Sequence, residues 1–85
     1  ANYPRQARES GLNGRLIMTV MIRPDGSVGG ITLTQPSGYK LFDESAIRTV
    51  RLAEPFPPPP KTKEQVDELY ITRTWNFVSG NTTVD

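Results

Sequence analysis

The sequence predicts an α+β fold: a three-stranded antiparallel sheet with two helices packed on one face, in the order α-β-β-α-β. Three observations carry that prediction. An alternating apolar run at Arg15–Arg23 is followed by Pro24-Asp25-Gly26-Ser27 and a second β-branched run, which reads as a hairpin. Phe42, Ala46, Val50 and Ala53 then recur at helical spacing. The last apolar stretch, Tyr70 to Phe77, is rich in β-branched and aromatic residues and holds neither Gly nor Pro, so it reads as a strand.

The opening helix is expected between Tyr3 and Gly11. Pro4 suits a first turn, and Gly11 can take the left-handed conformation that stops a helix. So short a helix is marginal alone and must lean on the body through Tyr3 and Ala7. In the first strand Leu16, Met18, Val20 and Ile22 mark one face, while Ile17, Thr19 and Met21 mark the other. Apolar residues on both faces suit a central strand. In the turn that follows, Pro24 presets one corner and Gly26 can take positive φ. The returning strand spans about Val28 to Thr34. Val28 and Ile31 share no period-two register, and Gly29-Gly30 between them offers a bulge that restores it.

The main helix is expected from about Lys40 to Ala53, with Ile47 on the flank of its stripe and Glu44–Arg48 as an i,i+4 pair. Asp43 stands in its first turn, where helix N–H groups favour a carboxylate. Pro55-Phe56-Pro57-Pro58-Pro59-Pro60 stops the helix and opens a Pro-rich connection over 55–68. Four consecutive prolines without a basic anchor read as a rigid connector in preference to a ligand for an SH3-like partner. Thr62-Lys63-Glu64-Gln65 has capping-box spacing, so a short helical turn is expected over Lys63–Glu68. Residues 79–85 read as a polar, frayed tail.

Eighty-five residues make one domain, 1–85, with a thin core. Ten basic and nine acidic residues give a net charge of +1. The basic residues are scattered, so no electrostatic footprint for nucleic acid is present. With no Cys and no His, the chain has no disulfide, no thiolate zinc site, no imidazole base and no Ser-His triad. Asp43 and Glu44 lie about 100° apart on a helix and do not converge as a catalytic pair. No catalytic residue, cofactor or metal is expected. No apolar run reaches the length of a membrane span. The first residue is not Met, and the expectation is a piece of a longer protein whose anchor lies elsewhere.

In the closing strand Ile71, Trp75 and Phe77 fall on one side, with Arg73 breaking the row. Thr72, Thr74, Asn76 and Val78 fall on the other. Coming last, this strand is expected at a sheet edge, with N–H and C=O groups left for another chain to pair with. The candidate partner-binding strand is Tyr70, Ile71, Thr72, Arg73, Thr74, Trp75, Asn76, Phe77 and Val78. The side chains of Tyr70, Thr72, Thr74 and Asn76 are the expected contacts. An alternative use of the same edge is structural self-association, a homodimer of a cell-envelope protein.

The order and spacing of these pieces resemble the TonB C-terminal domain family. Tyr3-Pro4, Ala7, Gly11 and Gly14 are similar to its opening, and Pro24-Asp25-Gly26 with Val28 to its hairpin. Ser37-Gly38, Phe42-Asp43, Ala46 and Val50 resemble its main helix, and Phe56-Pro57 with the aromatic strand completes the order. The resemblance implies a periplasmic energy transducer of Gram-negative bacteria, held in the inner membrane by an N-terminal segment and driven by ExbB and ExbD. It implies that the domain binds the TonB box of outer-membrane transporters by strand addition, serving siderophore, iron or cobalamin uptake. The run Pro57–Pro60 and the insert Lys61–Glu68 are longer than in the best-known form, which reshapes the approach to the edge.

Overall fold

The alternation of Leu16, Met18, Val20 and Ile22 buries all four on one face of β1 (Gly14–Ile22). The structure, a computed structural model, describes residues 4, 5, 11–57 and 67–85. After β1 the chain reverses through a turn closed by Gly26 N–H to Arg23 O at 2.9 Å and Arg23 N–H to Ser27 O at 2.8 Å. Asp25 Oδ1 accepts the Ser27 N–H at 2.9 Å and the Ser27 hydroxyl at 2.6 Å. Those two bonds, the hydroxyl's first, hold the Asp25 carboxyl below the ordinary aspartate value.

β2 (Val28–Gln35) returns antiparallel to β1. Met21 pairs with Gly30 and Ile22 with Val28, so Gly29 is the extra residue of a bulge where the Gly pair predicts one. A second irregularity opposes Ile17 and Met18 at Thr34. The link to α1 (Lys40–Leu52) is tied by Asp43 Oδ1, which accepts the Ser37 N–H at 3.0 Å. Asp43 therefore braces the entry to its own helix. Glu44 pairs with Lys40 at 3.6 Å and not with Arg48, and both groups are well exposed.

Phe42, Ala46 and Val50 turn the α1 stripe onto the sheet. Phe42 stacks on Phe77 with ring centroids 4.5 Å apart and planes 21° apart. A Cβ on Gly14 would lie 2.7 Å from Phe42 Cδ2, so this close approach needs a glycine at the start of β1. Beyond the helix, Glu54 Oε2 accepts the Val28 N–H at 2.9 Å, and the Phe56 N–H donates to Gly26 O at 2.8 Å. The Pro-rich connection thus leaves from a point fixed against the hairpin turn. Gly26 has φ +89°, and a Cβ there would collide with Phe56 O.

β3 (Leu69–Val78) lies antiparallel to β1 along its length, from Gly14 opposite Phe77 to Ile22 opposite Leu69. β1 is therefore internal, as its two apolar faces require. The fold departs from expectation in its strand count. Ser79 and Gly80 both have positive φ, 52° and 80°, the geometry of a two-residue hairpin turn. The chain then runs back as β4 (Asn81–Val84), antiparallel to β3. The sheet has four strands in the order β2-β1-β3-β4, not three.

Among the described residues there is a single multi-turn helix, α1, not two helices on one face. The helices expected at 3–11 and 63–68 fall largely outside the described residues. No described helix is long and apolar enough to cross a membrane.

Candidate functional site

Backbone polarity in an antiparallel sheet alternates: each residue turns both its N–H and its C=O toward one neighbour. Thr74 N–H donates to Asp85 O at 3.0 Å, and Asp85 N–H donates to Thr74 O at 2.8 Å. Thr74, Asn76 and Val78 therefore face the β4 side, and the residues between them face β1. By the same parity Tyr70 and Thr72 present their N–H and C=O groups outward. No strand among the described residues pairs with them: the β3–β4 pairs run from Val78 to Trp75, and Asp85 bonds to Thr74.

The outer side of β3 is thus divided. The half from Leu69 to Arg73 is open among the described residues, and the half from Thr74 to Val78 carries β4. This corrects the expectation that the whole closing strand is an edge. The misreading had a local cause: Asn81-Thr82-Thr83-Val84 has one apolar side chain and no alternation, so nothing in it reads as a half-buried strand. The Ser79-Gly80 pair was the available signal, a turn dipeptide directly after a strand.

The nine expected site residues divide by face. Trp75 and Phe77 are buried in the core and Ile71 packs partly against it, so these hold β3 in place. Tyr70, Thr72, Thr74 and Asn76 alternate with them on the opposite face, which no described helix covers. There the Thr19 hydroxyl lies 2.8 Å from that of Thr72 and 3.4 Å from that of Thr34, a hydroxyl row across three strands. Asn76 Nδ2 donates to Asp85 Oδ2 at 3.2 Å, a side-chain tie beside the backbone pairs of β4. Tyr70 Oη donates to Glu68 Oε2 at 2.6 Å. That bond, and then the carboxylate's charge, raise the Tyr70 phenol above its usual value.

Val78 is about half exposed beside the turn, where Asn13 Oδ1 accepts the Ser79 N–H at 2.9 Å. Arg73 is exposed on the helix side of the sheet, and its guanidinium Nη1 donates to Thr72 O at 3.0 Å.

The other sheet edge is β2. It carries both irregularities of the β1–β2 ladder, and its first N–H is already taken by Glu54. Bulges and capped groups blunt an edge against pairing. The open half of β3 has a continuous register with β1 and no bulge. It is the better template for an added strand.

Compared with known proteins, the chain matches the family model described as Gram-negative bacterial TonB protein C-terminal over residues 1–79. No curated protein and no solved structure matches it. The matched stretch includes β1, β2, α1 and β3 and ends in the turn before β4. The chain belongs to the family of Gram-negative bacterial TonB protein C-terminal domains.

Proposed function

We propose that this chain is the periplasmic C-terminal domain of an energy transducer. It takes the TonB box of an outer-membrane transporter as an added strand on β3. In this reading ExbB and ExbD act through an inner-membrane segment outside the chain, and the domain passes their work to transporters of siderophores, iron or cobalamin. The observation that carries the reading is the outward N–H and C=O of Tyr70 and Thr72, a short stretch with no strand partner among the described residues, beside a strand that a guest can replace.

Magnitudes decide how far the guest must extend. Tyr70 and Thr72 offer two N–H and two C=O groups, at about 1 kcal/mol net each when paired. Ordering four or five guest residues costs on the order of 1–2 kcal/mol apiece. The open half alone does not hold a peptide. The guest gains the rest by taking the place of β4 along Thr74, Asn76 and Val78. β4 is a weak occupant: it is four residues long, and Val84, its one apolar side chain, is 45% exposed. It is tethered through a two-residue turn, so its effective concentration is high and guest affinity is modest, around micromolar.

The test is a titration of the isotope-labelled chain with TonB-box peptides, followed by backbone amide shifts. The expected result is saturable shifts at Tyr70 and Thr72, with loss of the β4 pairing signals. Shifts confined to β2, or none with any peptide, would overturn the reading.

A further inference from the structure

Arg73 interrupts the apolar row of β3 between Ile71 and Trp75, at the boundary between the open half of the strand and the half held by β4. Its exposed guanidinium donates to the carbonyl of Thr72 at 3.0 Å, one of the two acceptors that an added strand needs. Among the described residues no carboxylate lies within ion-pair distance of it. Glu68 and Asp85 bond to Tyr70 and Asn76, on the face opposite Arg73. Among the described residues, then, the guanidinium is a positive charge without a carboxylate partner beside the open half of β3.

We propose that Arg73 selects acidic guests. In the free domain its guanidinium covers the Thr72 carbonyl, and on binding it moves to a carboxylate of the incoming strand, which leaves that carbonyl for a guest N–H. This rests on the strand-addition reading above. Arg73 turns its own N–H and C=O toward β1, so a guest that runs antiparallel to β3, as β4 does, places beside it a residue paired without backbone bonds. In such pairs the side chains of adjacent strands come closest. A guest Asp or Glu at that one position meets the guanidinium, while a Lys or Arg there is opposed by like charge. Neighbouring guest positions point to the opposite face, where the Thr19 and Thr72 hydroxyls lie, and gain nothing from Arg73.

The experiment uses the 85-residue chain and fluorescent heptapeptides of alternating Thr and Val. Each peptide carries one Glu, or Gln in the same place, and the position is moved along the peptide. At one position, and its period-two neighbours more weakly, Glu should bind about threefold to fivefold tighter than Gln, the upper range for an exposed ion pair. The ratio should fall to one in Arg73→Gln, and Arg73→Glu should prefer Lys at the same position. Binding of all peptides with no Glu-to-Gln preference, or a preference that survives in Arg73→Gln, overturns the role of Arg73 alone. Failure of every peptide to bind overturns strand addition and this inference together.

Discussion

Thr74 and Asp85 exchange both of their backbone hydrogen bonds, at 3.0 and 2.8 Å, and so close the last pair of the β3–β4 ladder at the middle of β3. Toward Val78 from this pair the sheet is filled, and toward Leu69 no strand among the described residues pairs with the outer side of β3. A guest strand that starts on Tyr70 and Thr72 meets Asp85 next. Under the proposed strand addition, affinity is therefore a contest at Thr74, not a property of an empty groove.

Removal of residues 81–85 should decide that contest. Without β4 the groups of Thr74, Asn76 and Val78 become available, and the guest no longer competes with a tethered strand. TonB-box peptide affinity should tighten about tenfold, equal to about 1.4 kcal/mol. Chemical stability should fall by about 1–2 kcal/mol as a few ladder bonds are lost. Calorimetric titration and urea unfolding read the two effects. Weaker peptide binding by the shortened chain would make β4 part of the receptor and not its competitor.

Proline substitution separates the two halves of β3. The Thr74 N–H serves β4, so Thr74→Pro breaks a native pair. The Thr72 N–H has no strand partner among the described residues, so Thr72→Pro removes a donor that only a guest would use. Thr72→Pro should keep the circular dichroism spectrum of the parent and lose at least tenfold in peptide affinity. Unchanged affinity in a folded Thr72→Pro chain would move the binding site off the open half.

How much of this was legible in the sequence differs between elements, for physical reasons. β1 declared itself because Leu16, Met18, Val20 and Ile22 alternate without a break, and its central place followed from Ile17 and Met21 behind them. The bulge was readable at Gly29, since period two fails there and resumes after it. β4 was not readable, because a four-residue strand held by backbone bonds needs no apolar pattern of its own. The site shared that blindness: the inward turn of Trp75 and Phe77 follows from spacing, but which residues of β3 pair with β4 does not. Arg73 was visible as a break in the apolar row. Its donation to Thr72 O is tertiary geometry that no spacing reveals.

The Asp25 turn should give the hairpin an acid-sensitive contribution. The folded pKa of Asp25 lies below its ordinary value of 3.8, through hydrogen bonds from the Ser27 hydroxyl and N–H. A depressed carboxylate stabilises fully above the unfolded pKa, and that contribution is lost as pH falls through the folded one. The urea midpoint of the parent should therefore drop between about pH 5 and pH 2 more steeply than that of Asp25→Asn. Parallel profiles would show that the Asp25–Ser27 bonds contribute nothing in solution. The group is fully exposed, so the difference should be small and should shrink little with salt, since its causes are hydrogen bonds first and the Arg23 charge only later.

Thr82 supplies a complementary test of β4. It lies opposite Phe77 on the core side, and its Oγ1 is buried with no hydrogen-bond partner among the described residues. A buried hydroxyl left unpaired costs about 1–3 kcal/mol, and detachment of β4 returns it to water. That cost weakens the occupant and favours the guest. Thr82→Val keeps the shape and β propensity and removes the unpaired group, so β4 should hold more firmly by about 1 kcal/mol. Peptide affinity should then weaken about fivefold while the urea midpoint rises. Hydrogen exchange at the Thr74 and Asp85 amides reads the same change directly, as slower opening of β4. A stabilised β4 with unaltered peptide affinity would mean that the guest binds without displacing it, and the contest at Thr74 would not exist.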